Sequence, residues 1–299
     1  MTDASVSRAR LAAVLFVGWL AMSSSAVVIV LAAPVPPTTI AASRVAITAL
    51  VWTAIAAATG VQGSFATGVQ RSFATGDRDV RRRVVLSGVL LGVHFALWIV
   101  SLTLTSVAHG AVLVGLQPLF AALFGLFLGD RASWRLVVGV AIALVGTAWM
   151  TQSDEAGATF TGDLLAVLAG ACAAAYLVVN RGVAGRIPLA PLLALVNAIA
   201  GVTVLAWIVV SGAPWWHDGA TVRDALAVVW LGLGPGFLGH GSMNWAARWL
   251  PVHVVSLAVL LEPVGAAFLA LWLLGQSFGA AEVVGAALLL IGAAIALRR

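Results

Sequence analysis

The sequence predicts an all-α membrane protein: ten transmembrane helices arranged as two inverted five-helix repeats around a central cavity. Three observations predict it. First, of 299 residues 62% are hydrophobic and only 9% are charged. A soluble domain carries about a quarter charged residues, so this chain cannot cover a water-facing surface and lipid is its solvent. Second, ten apolar stretches are each long enough to cross a bilayer. Third, the two halves echo one another. Gln117-Pro118 recurs as Glu262-Pro263 at an offset of 145, and Gly129, Gly139 and Gly146 recur as Gly275, Gly285 and Gly292 at an offset of 146. A shared spacing over so many residues marks an internal duplication.

The spans are expected at 11–32, 38–59, 84–105, 107–128, 134–151, 162–182, 188–210, 224–247, 253–274 and 279–297. A crossing needs about 20 apolar residues at about 1.5 Å each. The first follows Arg8 and Arg10 and is too long for the apolar core of a signal peptide, so it is expected to remain as a helix. Between the second and third spans, Val61–Gly68 is followed at once by a near copy, Val69–Gly76, which suits a tolerant surface loop. The units are expected to divide the chain at 1–151 and 152–299.

Arginine placement orients the spans. All 16 basic residues are arginines. Arg8, Arg10, the Arg71–Arg83 group, Arg131, Arg135, Arg181, Arg186, Arg248, Arg298 and Arg299 fall on one side of the ten-span scheme. The opposite loops carry only Arg223, with Asp154 and Glu155. This predicts a multi-pass protein with both termini cytoplasmic. The arginines sit in short loops between apolar runs, so the net charge of +5 reads as an orientation signal and not as a nucleic-acid footprint. One cysteine, Cys172, excludes an internal disulfide. Five helices is an odd number, so the second unit must enter the membrane from the opposite side. In such inverted repeats the substrate site lies near the bilayer midplane between the halves.

These features resemble the drug/metabolite transporter superfamily, in particular its EamA-type ten-helix exporters. The matching pieces are Trp19 with the serines after it, Pro37 with Arg44, and Gly88 to Ser106. Others are Gln117-Pro118 to Gly146, Gly232 to Pro251, and Glu262-Pro263 to Gly292. The family pattern has Gly-Glu after helices 4 and 9, where this chain has Gly129-Asp130 and Gly275-Gln276. The resemblance implies that helices 1–4 and 6–9 enclose the cavity while 5 and 10 lie at the periphery. It also implies export of amino acids, with an aromatic amino-acid branch, or of drugs and other metabolites.

Polar side chains in hydrocarbon are costly unless they face a cavity or another helix, so they are the candidate substrate contacts. Helix 3 carries Ser87, His94, Trp98, Ser101 and Thr105 at helical spacing on one face. His94 lies roughly 15 Å deep. Its imidazole suits an amino or carboxylate group, and Trp98 offers a flat wall with an indole donor. Helix 1 presents Trp19 and Ser23, and Ser24 and Ser25 suit close helix contact. Helix 6 has Tyr176 and Asn180 on one face, and helix 8 has His240 and Asn244 one turn apart, amid glycines and Pro235. That glycine-rich stretch reads either as a hinge or as a close-packing surface.

Gln117 and Glu262 are equivalent, and each precedes a proline. Glu262 reads either as a proton carrier that couples transport or as a neutral carboxyl bonded to backbone, as its amide counterpart would be. Arg44 is the lone arginine inside a span. It is expected either to snorkel outward or to attract a substrate carboxylate. Small residues on helices 5 and 10, Ala143 with Thr147 and Ala281 with Gly285, allow close contact within one chain or in a homodimer, and a monomer is equally compatible.

There is no Walker-type glycine loop, no His/Cys metal cluster and no Ser/His/Asp arrangement in aqueous loops. No catalytic residue, metal or cofactor is therefore expected. The expected function is export of small amphipathic metabolites, aromatic amino acids foremost, driven by the substrate's own gradient or an ion. A multidrug or nucleobase exporter is the alternative. A membrane-embedded enzyme is the lower one, since Glu262 lacks a second ionisable partner.

Overall fold

The computed structural model describes residues 6–32, 35–59, 78–104, 113–131, 133–150, 159–214, 219–274 and 280–298. The first unit holds α1 (Arg8–Leu31), α2 (Pro37–Ala58), α3 (Arg78–Leu104), α4 (Gln117–Gly125) and α5 (Trp134–Met150). The second holds α6 (Phe160–Arg181), α7 (Leu189–Ser211), α8 (Val222–Ala246), α9 (Val252–Leu260, then Glu262–Leu274) and α10 (Ala280–Leu297). Among the described residues, six helices are long and apolar enough to cross a membrane, with shorter apolar helices beside them. Their outward faces are greasy: Val210 is 88% exposed and Trp272 80%.

Local chemistry sets the ends. Thr159 caps α6 by accepting from the Gly162 amide, and Thr221 with Asp224 forms a capping box on α8. A short 3-10 turn, Leu126–Leu128, closes α4 on Gly129, whose φ of +80° favours glycine.

Four spans depart from expectation, each for a visible reason. α3 begins at Arg78, six residues before hydrocarbon is needed, because Asp79 sits in its first turn and bonds Arg83 one turn on. α4 starts only at Gln117, with Pro118 in its first turn; residues 107–112 of the expected span lie outside the described residues. α9 breaks at Leu261, just before Pro263, which has no N–H to bond back along the helix. α8 opens at Gly232–His240 into a π-helical stretch containing Pro235. The copied loop at 61–76, and Gly275-Gln276, also lie outside the described residues.

Packing carries the inverted symmetry. α3 lies along α6 and α7, and its counterpart α8 lies along α1 and α2. α4 packs on α9, and α5 on α10. The last pair shows the inversion atom by atom. A Cβ built on Gly139 would strike the Gly292 carbonyl, and one on Gly292 would strike the Gly139 carbonyl. Gly146 meets Gly285 in the same way. The pairing runs backward along α10 as it runs forward along α5, so the two helices are antiparallel. The small residues of α5 and α10 thus have partners within one chain. Leu15 of α1 and Leu297 at the end of α10 line one groove.

Candidate functional site

A cavity of about 260 Å³ lies inside the bundle, walled by α1, α2, α3, α4, α6, α8 and α9. Among the described residues α5 and α10 contribute nothing to its wall, and each has buried its small-residue face against the other. The two proline breaks open onto it. Pro118 and Pro263 remove the helical donors for the carbonyls of Val114 and Val259, and both valines line the cavity. Gln117 and Glu262, the residues before the prolines, line it too. Gln117 also reaches from α4 to α9, where its Nε2 donates to Ser256 Oγ at 3.4 Å. Glu262 lies ten residues above the start of α9, about 15 Å up. That is mid-depth in a hydrocarbon layer of about 30 Å.

The wall carries one guanidinium. Arg44 projects from α2, its Cζ 5.2 Å above the Phe95 ring and its Nε without a hydrogen-bond partner. Arg44 and Glu262 are the only charged side chains among the described cavity-lining residues. Phe95, Trp98 and Ile29 supply much of the apolar wall.

Two histidines face the same space, each held by a different kind of partner. His94 Nδ1 lies 2.8 Å from the Ala169 carbonyl of α6. A carbonyl only accepts, so Nδ1 carries the hydrogen and Nε2 of the neutral ring is an acceptor. His240 is held by Tyr176. The Tyr176 oxygen accepts from Asn244 Nδ2 at 3.4 Å and lies 2.7 Å from His240 Nδ1, a hydrogen bond whose donor is set by the tautomer of the ring. Beneath them a ladder of neutral groups runs on. Asn180 donates to Asn244 Oδ1 at 2.8 Å, and Ser87 donates to Asn180 Oδ1 at 2.6 Å. Every rung is satisfied, which rigidifies a buried polar network.

Of the side chains singled out in the sequence, the cavity wall gathers Arg44, His94, Trp98, Gln117, Tyr176, His240 and Glu262. Four stand elsewhere. Trp19 lines a groove on the other side of α9, and its indole donates to the Leu261 carbonyl at 3.0 Å. Ser23 is fully buried against Gly265, with an unpartnered hydroxyl. Ser101 donates to the Trp98 carbonyl at 2.7 Å. Asn244 lines a separate chamber of about 10 Å³ with Thr48, Trp52 and Asn197, room for about one water. Thr105 lies outside the described residues. Sequence reasoning missed Met22, Phe95 and Met243 on the wall, and it missed Ser25 as the serine of α1 that faces the cavity. Apolar wall residues give no signal in a chain this apolar.

The arginine-rich end is tied by ion pairs. Asp130 pairs with Arg181, linking the end of α4 to the end of α6. Asp79 accepts from Arg186 at 2.7 Å and from Arg83 at 2.9 Å, and these two guanidiniums, Arg186 foremost, hold its carboxyl below the usual carboxylate range. Arg248 donates to the Ile187 carbonyl at 2.8 Å. The acid after helix 4 is thus a structural tie between the two units.

A family model described as the EamA-like transporter family matches residues 10–152 and 160–298. No curated protein matches the chain. A solved structure described only as the crystal structure of a protein is 24% identical, with a TM-score of 0.76 over 97% of each chain. At that identity the likeness shows the fold.

Proposed function

The chain belongs to the EamA-like transporter family, and we propose that it exports small amphipathic metabolites, aromatic amino acids foremost, across a bacterial inner membrane. In this reading the arginine-rich end and both termini are cytoplasmic. The observation that carries the substrate class is the charge content of the cavity: among the described lining residues one cation, Arg44, and one carboxyl, Glu262, stand in a wall that is otherwise neutral and largely aromatic and apolar. A zwitterion offers each of them a partner. A multiply charged anion would need several cations, and a lipophilic cation would leave Arg44 opposed. Phe95 and Trp98 suit a flat apolar side chain. His94 accepts where an ammonium would donate, and His240 adds a second imidazole to the same wall. The volume of about 260 Å³ falls below the roughly 300–1,000 Å³ of drug-sized sites, which favours a small metabolite over bulky drugs. Two inverted units supply alternating access by exchanging near-equivalent conformations.

The test is counterflow of a labelled aromatic amino acid in proteoliposomes. Unlabelled aromatic amino acids should compete, and lipophilic cations and nucleobases should not. Arg44→Gln and Trp98→Ala should each lower flux about tenfold with folded protein retained. Equal competition by lipophilic cations would remove the amino-acid assignment. Chemical conversion of the substrate without its movement would remove transport itself. Proton coupling is read separately, by imposing a pH gradient on liposomes carrying Glu262→Gln. A response equal to wild type would leave Glu262 as a substrate contact only.

A further inference from the structure

A second recess, of about 470 Å³, lies on the outside of the bundle between α1, α9 and α10. Its walls include Leu15, Phe16, Trp19, Leu257, Phe268 and Leu290, and every described lining residue is apolar or aromatic. It runs from Val254 to Phe268 along α9, about 20 Å by helical rise. That is more than the half-thickness of the hydrocarbon layer, about 15 Å. The groove therefore spans one leaflet.

Its mouth is basic. Arg8 lies two turns below Leu15 on the same face of α1, and Arg298 follows Leu297, the last groove residue of α10. Arg8, Arg10 and Arg298 are all exposed. Among the described residues none of the three forms an ion pair, because Asp79 and Asp130 are taken by other arginines. The corresponding start of α6 in the second unit carries Asp163 in its first turn, so the inverted counterpart lacks this charge.

We propose that this groove binds one anionic phospholipid from the leaflet at the arginine-rich end, an acyl chain lying along α9 and the headgroup held by Arg8 and Arg298. A basic patch at a leaflet surface attracts anionic headgroups, and the apolar trough accepts the tail. The tail lies against Trp19, whose indole is bonded to the Leu261 carbonyl, while the next residue, Glu262, faces the central cavity. One wall of helix separates lipid from cavity, at the break in α9. This site stands apart from the transport reading and does not depend on the substrate.

The experiment is native mass spectrometry of the full chain released from nanodiscs of phosphatidylglycerol, of phosphatidylcholine, and of an equal mixture. Wild type should retain one lipid, with phosphatidylglycerol preferred. Each arginine near a membrane surface contributes about fivefold, so Arg8→Gln with Arg298→Gln should erase most of the preference while retaining lipid. Ala258→Trp, which fills the groove, should lower retention of both lipids, with the thermal midpoint in phosphatidylcholine showing that the variant is folded. Equal retention of the two lipids by wild type would overturn the proposal, as would a preference that survives loss of both arginines. A dimer mass that disappears with Ala258→Trp, in place of bound lipid, would assign the groove to a second copy of the chain and overturn it equally.

Discussion

α3 and α8 hold the same place in the two units, third of five, and they pack by the same means. Gly88 and Gly92 bring α3 against Ile199 and Thr203 of α7. Gly232 and Gly236 bring α8 against Ile47 and Thr48 of α2. Each helix then puts a histidine on the cavity wall. Beyond that they differ. α3 is regular from Arg78 to Leu104, and His94 is tied to a backbone carbonyl. α8 widens at Gly232–His240, where Pro235 withholds an N–H, and His240 is tied to a side chain, Tyr176. The duplicated part is the packing surface. The chemistry and the backbone regularity have diverged on top of it, which gives one cavity a histidine fixed to backbone and a second held by a side chain on an irregular helix.

The harshest way to break this comparison is to overpack both contacts. Gly92→Val and Gly236→Val should each cost about 1–3 kcal/mol or more, read as a lower thermal midpoint in detergent. If only Gly236→Val is tolerated, the π stretch absorbs the added methyls and the two surfaces are not equivalent. Tyr176→Phe probes the histidines. It removes the hydroxyl bonded to His240 Nδ1, and it should cost about 1–2 kcal/mol and change the environment of that nitrogen. Nitrogen NMR of labelled histidine should show the change at His240 and none at His94; a change at both would mean that the two rings are coupled.

Pro235→Ala acts more gently. It restores an N–H and should draw α8 toward regular α-helix, lowering flux a few-fold while equilibrium binding of the substrate holds. Weaker binding without slower exchange would place the role of the π stretch in the cavity wall and not in motion. The smallest effect belongs to Asp79, which is exposed and whose ion pairs are screened by salt. Its folded-state value lies below the unfolded value of about 3.9. Its contribution is therefore present above that value and lost as pH falls through the folded one. Asp79→Asn should remove this acid-side slope, seen in thermal midpoints at low salt, and leave neutral-pH flux unchanged.

Much of the fold could be read from the chain, because the evidence for it is repeated. Gln117-Pro118 and Glu262-Pro263 mark both broken helices, and Gly139, Gly146, Gly285 and Gly292 reappear as the crossing of α5 with α10. The site was legible in part. The polar stripe of α3 did place His94 and Trp98 on the cavity. Phe95 escaped because it lies about 100° round the helix from His94, and the cavity is broad enough to take more than one stripe. On α1 the stretch Trp19 to Ser25 is polar on several faces, so spacing alone did not tell which side meets the cavity. The structure turns Ser25 inward and Trp19 toward the outer groove. Asn180, beside Arg181, suited a membrane interface by position, yet it is buried as a rung between Ser87 and Asn244.

By itself the sequence determined the all-helical membrane class and the twofold plan. Those follow from totals and spacings: apolar length and the interval between copied motifs. Only the tertiary structure decided which face of each helix is inside. In water an apolar stripe marks the buried face, but in lipid both faces of a helix are apolar, and only the neighbouring helix distinguishes them.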